Sequence, residues 1–131
     1  MNKEIKLSKN TMIVSETNSK GHIIYANSDF CKISGFTKEE LIGKPHSMVR
    51  HEDMPRAAFK DLWKTVQKGK TWKGIVKNIC KNGDYYWVNA TAYPVEKSNG
   101  KHRFISVRIK PTSKEVENAQ KLYKKLLKEE K

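Results

Sequence analysis

Cysteine is nearly absent from this 131-residue chain, with only Cys31 and Cys80 and no C-x-x-C spacing between them. That leaves no disulfide framework and no cysteine metal motif, so the two read as packed thiols in a reducing compartment. No apolar run approaches the length that crosses a bilayer. The opening Met1-Asn2-Lys3-Glu4-Ile5-Lys6 lacks the apolar stretch and small-residue cleavage site of a secretory signal, which predicts a cytoplasmic protein. Also missing are a nucleophile elbow, a phosphate loop and carboxylates paired at a suggestive spacing, and with them the sequence basis for an enzyme. Four histidines without metal-like spacing give no metal site. Acidic residues are outnumbered, 14 against 27 Lys and Arg, for a formal charge of +13. Clustered cations would suggest nucleic acid. Here the lysines are dispersed and interleaved with Glu115, Glu117, Glu129 and Glu130 near the end, so they read as a solvated surface.

The length fits one domain with a real core, and 37% hydrophobic residues with aromatics along the body argue for a folded chain. Met12 to Thr17, the turn cluster Asn18-Ser19-Lys20-Gly21 and the run from His22 to Ala26 predict a β-hairpin. Two short helices follow. The second opens on Thr37-Lys38-Glu39-Glu40, a capping box with Phe36 and Leu41 placed as a hydrophobic staple, and closes at Gly43. A longer helix carries Phe59, Leu62, Trp63 and Val66 at i, i+3, i+4, i+7, with Pro55 in its first turn, Gly69 at its end and Asp53 as a candidate cap.

Three strands are predicted next, Trp72 to Lys81, Tyr85 to Val95 and Arg103 to Lys110, with turns at Asn82-Gly83 and Asn99-Gly100. A two-residue turn at Asn82-Gly83 would pair Asn78 with Trp87. A three-residue loop with Gly83 as a left-handed bulge pairs Asn78 with Tyr86 and puts Gly74 and Val76 on one face with Val88, Ala90 and Ala92. The second register is adopted. The same bulge at Gly100 adds Ser106 and Arg108 to that face. The inner surface then carries small residues with Asn78 and Arg108, which leaves volume for a ligand. The outer face receives Trp87, Ile105, Val107 and Ile109, too apolar for water, so a helix or a second copy should cover it. Pro111-Thr112-Ser113-Lys114-Glu115 holds another capping pattern. Val116, Ala119, Leu122, Tyr123, Leu126 and Leu127 make a stripe on the helix after it, available to cover the outer sheet, to pair with another copy, or both.

Residues 1–10 thus read as a tail or cap, 11–110 as the domain and 111–131 as an amphipathic helix. This is an α+β order of two strands, short helices, a three-stranded meander and a trailing helix, and it resembles a PAS domain. The segments Ile24-Tyr25-Ala26-Asn27-Ser28-Asp29-Phe30, Ser34-Gly35-Phe36 through Gly43, and Lys81-Asn82-Gly83-Asp84-Tyr85-Tyr86-Trp87 are similar to that family's signatures. More narrowly, Pro45-His46-Ser47-Met48-Val49-Arg50-His51-Glu52-Asp53-Met54-Pro55, Ala57-Ala58-Phe59-Lys60-Asp61-Leu62-Trp63 and Trp72 to Asn78 resemble the PAS domains of bacterial aerotaxis (energy-taxis) receptors, over roughly residues 10 to 127.

The resemblance implies a PAS fold: a five-stranded antiparallel sheet with short helices on one face and a C-terminal amphipathic helix. It also implies non-covalent binding of flavin adenine dinucleotide (FAD), whose redox state is signalled to a methyl-accepting-type chemotaxis receptor or signalling domain, in trans or fused, with a homodimer as a further arrangement. Carried over residue by residue, it implicates Asn27, Arg50, His51, Asp53, Phe59, Trp72 and Asn78 in the flavin site. Glu52 stands where the family usually has Pro. His46 stands where light-sensing relatives carry the cysteine that bonds flavin, so the expectation is redox rather than light sensing.

The residues support a flavin independently. Phe59 and Trp72 can wall a planar ring, Asn78 offers a donor and an acceptor, and Arg50, His51 or Arg108 can meet negative charge. Plainer readings stand beside these. Asn27 is also a natural helix cap; Phe59, Trp63 and Trp72 also suit a plain core; His46 and His51 also suit the surface. An inward Arg108 needs a ligand anion or a nearby carboxylate. The competing functions are a cofactor-free interaction module and a PAS domain for another small ligand.

Overall fold

The computed structural model describes residues 2–96 and 102–130. Five strands, β1 (Ile13–Thr17), β2 (Ile23–Ala26), β3 (Trp72–Ile79), β4 (Tyr85–Glu96) and β5 (His102–Ile109), form one antiparallel sheet in the order β2-β1-β5-β4-β3. Between β2 and β3 run α1 (Ser28–Ser34), α2 (Lys38–Leu41), a 3₁₀ turn (His46–Val49) and α3 (Arg56–Gln67); α4 (Ser113–Glu129) follows β5. No helix among the described residues is long and apolar enough to cross a membrane.

The meander takes the bulged register. Asn78 pairs with Tyr86, and Gly83 at φ 95° closes a loop in which the Cys80 N–H donates to the Asp84 carbonyl. A β-carbon at Gly83 would oppose that left-handed turn, so glycine fixes the register from the loop side while burial fixes it from the sheet side. Ala90 then faces Arg108 and Ala92 faces Ser106, as the inner-face pattern predicts. The predicted turn at Asn99-Gly100 lies outside the described residues.

Burial follows the face alternation. Ile13, Ser15, Thr17, Val76, Asn78, Tyr86, Val88 and Arg108 are buried on the inner side, against Phe30 of α1, Leu41 of α2, Val49 of the 3₁₀ turn and Val66 of α3. The capping boxes at Thr37 and Thr112 both form, each with its glutamate (Glu40, Glu115) returning to the cap N–H.

One helix expectation is corrected, and one of the alternatives for α4 is met in part. Asp53 does not cap α3, whose N-cap position is Pro55; Asp53 instead pairs with Lys77 at 2.7 Å. The cap comes from the far end of the chain, where the Glu130 carboxylate accepts the Arg56 and Ala57 N–H groups at 3.1 and 3.0 Å. Nor does α4 blanket the outer sheet. It starts there, with Glu115 accepting from Asn89 Nδ2. It then passes the β3 edge, where the Tyr123 hydroxyl donates to the Ile75 carbonyl, and ends on α3. Met12 and Ile109, side by side on the outer face, stay 50% and 43% exposed.

The Glu130 contact has a pH signature. The Ala57 N–H, then the Arg56 N–H and guanidinium, hold the carboxyl below its ordinary range. A carboxylate whose folded pKa is depressed stabilises above the ordinary glutamate value and loses that contribution as pH falls through the lowered one. Glu130→Gln is therefore expected to lower the melting temperature by a few degrees at neutral pH, with the gap to wild type closing below about pH 4. Parallel thermal melts from pH 3 to pH 7 check it.

Candidate functional site

The predicted apolar stripe of α3 does not close against the sheet. Phe59, Leu62, Trp63 and Val66 form one wall of a cavity of about 380 Å³, facing Ser15, Thr17, Ala92, Phe104 and Ser106 of the sheet. That volume lies at the low end of small-ligand sites, about 300–1,000 Å³. Small inward residues on β4 and β5 create the space, as the strand pattern predicts. The rim comes from two turns: Lys20-Gly21 of the first hairpin, and Pro45, His46, Ser47 and Arg50 before α3. Gly21, at φ 84°, packs so closely on the Trp63 indole that a β-carbon there would lie 2.9 Å from it.

Behind this cavity lies Arg108, 2% exposed. Its Nη2 donates to Ser15 Oγ at 2.6 Å and its Nη1 to His46 Nε2 at 3.0 Å, while its guanidinium lies 4.6 Å from the Phe30 ring centre. Ser15 Oγ and His46 Nε2 are also 3.1 Å apart. No carboxylate pairs with Arg108 among the described residues, and its Nε has no hydrogen-bond partner. Burial pulls the guanidinium down to about 10, so it stays charged at neutral pH. Burial first, then the Arg108 charge, pulls His46 down to about 3. The imidazole is neutral and accepts at Nε2, which places its proton on Nδ1. His46 lines the cavity and is only partly exposed, so it is no free surface residue.

Tyr86 shares the inner face and is fully buried. Its hydroxyl is without a hydrogen-bond partner; Asn78 lies close enough to favour the ionised form slightly, but short of bonding geometry. Burial dominates and pushes Tyr86 up to about 12. Two buried donors without acceptors, Tyr86 Oη and Arg108 Nε, thus share one sheet face. Unsatisfied buried polar groups cost about 1–3 kcal/mol each, and an acceptor-rich guest would remove the cost.

Of the residues implicated by sequence, the structure brings Arg50 and Phe59 to the cavity, with the Arg50 guanidinium 5.2 Å from the Phe59 ring centre. Arg108 joins them through its two lining partners. Trp72 and Asn78 occupy the same sheet face outside the lining; the Trp72 indole lies over Gly74 and donates to Asp61 at 2.8 Å. Asn27 caps α1 and bridges to β1. His51 and Asp53 sit against the β3 edge. There the His51 N–H donates to the Lys77 carbonyl, the Lys77 N–H contacts Met54 Sδ, and Lys77 Nζ lies 4.4 Å from the Tyr85 ring centre. They hold down the loop that carries Arg50 instead of lining the cavity.

Sequence reasoning missed Ser15, His46 and Tyr86. Ser15 had a signal, a polar residue in phase with buried Ile13 and Thr17; His46 had one in standing where light-sensing relatives carry the flavin-bonding cysteine, although its irregular turn gives no period for its direction. Cys80, whose thiol donates to the Ile33 carbonyl and is pushed up to about 11 by burial, stands apart from the cavity, as does Cys31. Among the described residues no cluster of His, Cys, Asp and Glu could hold a metal ion.

The PAS fold family matches residues 23–108. The aerotaxis receptor of Escherichia coli K12 is 46% identical over 120 residues, which are 92% of this chain and 24% of that protein. A nitrogen fixation regulatory protein of Klebsiella oxytoca is 27% identical over 69% of the chain and 18% of its own length. The chain therefore spans about a quarter or less of these two relatives. Among solved structures, a light-oxygen-voltage domain from work with a flavin analogue superposes with a TM-score of 0.70 at 17% identity, covering 92% of this chain and 89% of that one.

Proposed function

Because the chain belongs to the PAS fold family, we propose that it is a sensory module that binds a flavin non-covalently, FAD in particular, and reports its redox state by protein contact. The observation that carries this is the buried Arg108 cation, with no carboxylate among the described residues and one idle N–H, set behind a cavity walled by Phe59, Leu62 and Trp63. A flavin fits that chemistry: its ring has apolar faces and an edge of carbonyls and ring nitrogens that accept hydrogen bonds. Phe59 and Trp63 would enclose the ring, and Arg108, Tyr86 and Asn78, on the same sheet face but outside the lining, are donors that its polar edge would reach on rearrangement. Bound there, the flavin supplies reversible electron acceptance. Arg108 and its partners Ser15 and His46 would shift their hydrogen bonds as the charge of the guest changes, which gives the protein two states to report.

The same residues favour sensing over turnover or photochemistry. His46 is a poor base at neutral pH, with Nε2 already accepting from Arg108. Neither cysteine lines the cavity, and among the described residues its lining holds no Asp or Glu. The relative at 46% identity is an aerotaxis receptor about four times the length of the match, so a chemotaxis-type transducer, fused or separate, is the proposed recipient. The exposed Met12–Ile109 strip and Leu122 are the surfaces open to it or to a second copy.

Purified protein is expected to be yellow, with an absorption spectrum that bleaches on reduction and a dinucleotide released by heat. Colourless protein that also takes up no flavin on refolding overturns the proposal, and so does steady oxidation of a nicotinamide cofactor.

A further inference from the structure

Most of the described Lys and Arg side chains have no carboxylate within 4 Å, and those that face the cavity are among them. Arg56, Lys77, Lys81, Arg103 and Lys121 each have a carboxylate within 4 Å. Lys20, Arg50 and Lys60 line the cavity, and none of them has one among the described residues. The acid next to Lys60 in sequence, Asp61, is engaged by the Trp72 indole. Three cations at the rim, a fourth behind the wall in Arg108, and no Asp or Glu among the described lining residues make a concave surface of one sign, which attracts and retains anions.

The rim is also built. The Asn18 side chain accepts the Lys20 and His22 N–H groups, both at 3.0 Å, and the Gly21 N–H donates to the Asn18 carbonyl, which together fix the turn that carries Lys20. The turn is pressed onto Trp63, one helical turn along α3 from Lys60. Arg50 stands over Phe59, the neighbour of Lys60. A 380 Å³ cavity takes one ring system, so the remainder of a dinucleotide must pass this rim.

We propose that Lys20, Lys60 and Arg50 form a phosphate subsite at the cavity mouth, so that this chain selects flavin nucleotides over the bare vitamin by charge at the rim. The subsite rests on the flavin reading above and adds the residues that would set ligand class. Ammonium groups suit it because they bind phosphate as point charges without a fixed approach.

The test is a titration of flavin-free protein with riboflavin, FMN and FAD, followed by flavin fluorescence. FAD and FMN are expected to bind at least about tenfold tighter than riboflavin, and the advantage should shrink between about 0.05 and 0.5 M salt as screening shortens. Lys20→Gln with Lys60→Gln should cost FAD about tenfold and riboflavin less than twofold, equivalent to roughly 1.4 kcal/mol for the phosphate term. Both lysines are exposed, so the melting temperature of the ligand-free double variant should match wild type. Lys64→Gln, one turn further along α3 and outside the lining, is the charge-matched control. Riboflavin binding as tightly as FAD, or equal losses from the control, overturns the subsite and leaves the flavin reading intact. Failure of all three flavins to bind overturns both.

Discussion

Arg108→Met is expected to raise the melting temperature of the flavin-free protein while weakening flavin binding by about tenfold to a hundredfold. The two effects have opposite signs because the guanidinium is a liability to the empty fold. It is 2% exposed, has no carboxylate partner among the described residues, and leaves Nε unbonded, so the several kcal/mol of desolvation that a buried ion incurs are only partly offset by Ser15 and His46. Methionine keeps an apolar stem in the site but gives up the guanidinium contact with the Phe30 ring. Its shorter reach leaves a void costing on the order of 1 kcal/mol beside a cavity that already exists. Ser15 Oγ and His46 Nε2, 3.1 Å apart, retain each other as partners once the cation is gone. Desolvation outweighs the void, and a net gain of about 1–3 kcal/mol follows, or several degrees in a chain of this size. Calorimetry of flavin-free protein and a flavin titration of the same sample read both signs. A destabilised variant that binds flavin normally would mean that Arg108 serves the fold and not a guest.

Local features of the chain were legible in sequence, and distant ones were not. Gly83 and the alternation of Gly74, Val76, Val88 and Ala90 set the meander register within about twenty residues, and the pairing of Asn78 with Tyr86 follows them. The α3 stripe was legible because four apolar residues at helical spacing admit one face; periodicity did not reveal that this face borders a cavity instead of sealing it. The α3 cap was misassigned to Asp53 because the nearest acid is the natural candidate, whereas Glu130 lies 74 residues from Arg56 and arrives only through the fold. Arg108 and Ser15 meet across 93 residues, through the β1–β5 pairing. The inward aim of Arg108 could be read from strand alternation, but its partners could not. His51 and Asp53 sit in an irregular loop with no period to say which way a side chain points; Asp53 turns to Lys77 and His51 packs edge-on against the Tyr85 ring.

Asn27→Ala is expected to destabilise the protein by about 2–3 kcal/mol, roughly 10 °C in melting temperature, and to lose flavin only by unfolding. The resemblance implicates Asn27 in the cofactor site, yet its amide is fully committed elsewhere. Oδ1 accepts the Val14 N–H at 3.0 Å and the Phe30 N–H at 3.1 Å, and Nδ2 donates to the Met12 carbonyl at 2.8 Å. One side chain thus caps α1 and extends the β1 edge, and α1 carries Phe30, the ring beneath Arg108. Loss of a helix cap alone costs about 1 kcal/mol, and the two further bonds add about as much each, less whatever water recovers. Asn27→Asp keeps the Oδ1 acceptor and surrenders only the donor to Met12, so it should retain most of the stability. Cooled to about 10 °C, where the alanine variant is still mostly folded, both variants should bind flavin within a few-fold of wild type. An alanine variant with wild-type stability and no flavin would return Asn27 to the ligand site and remove the structural account of it.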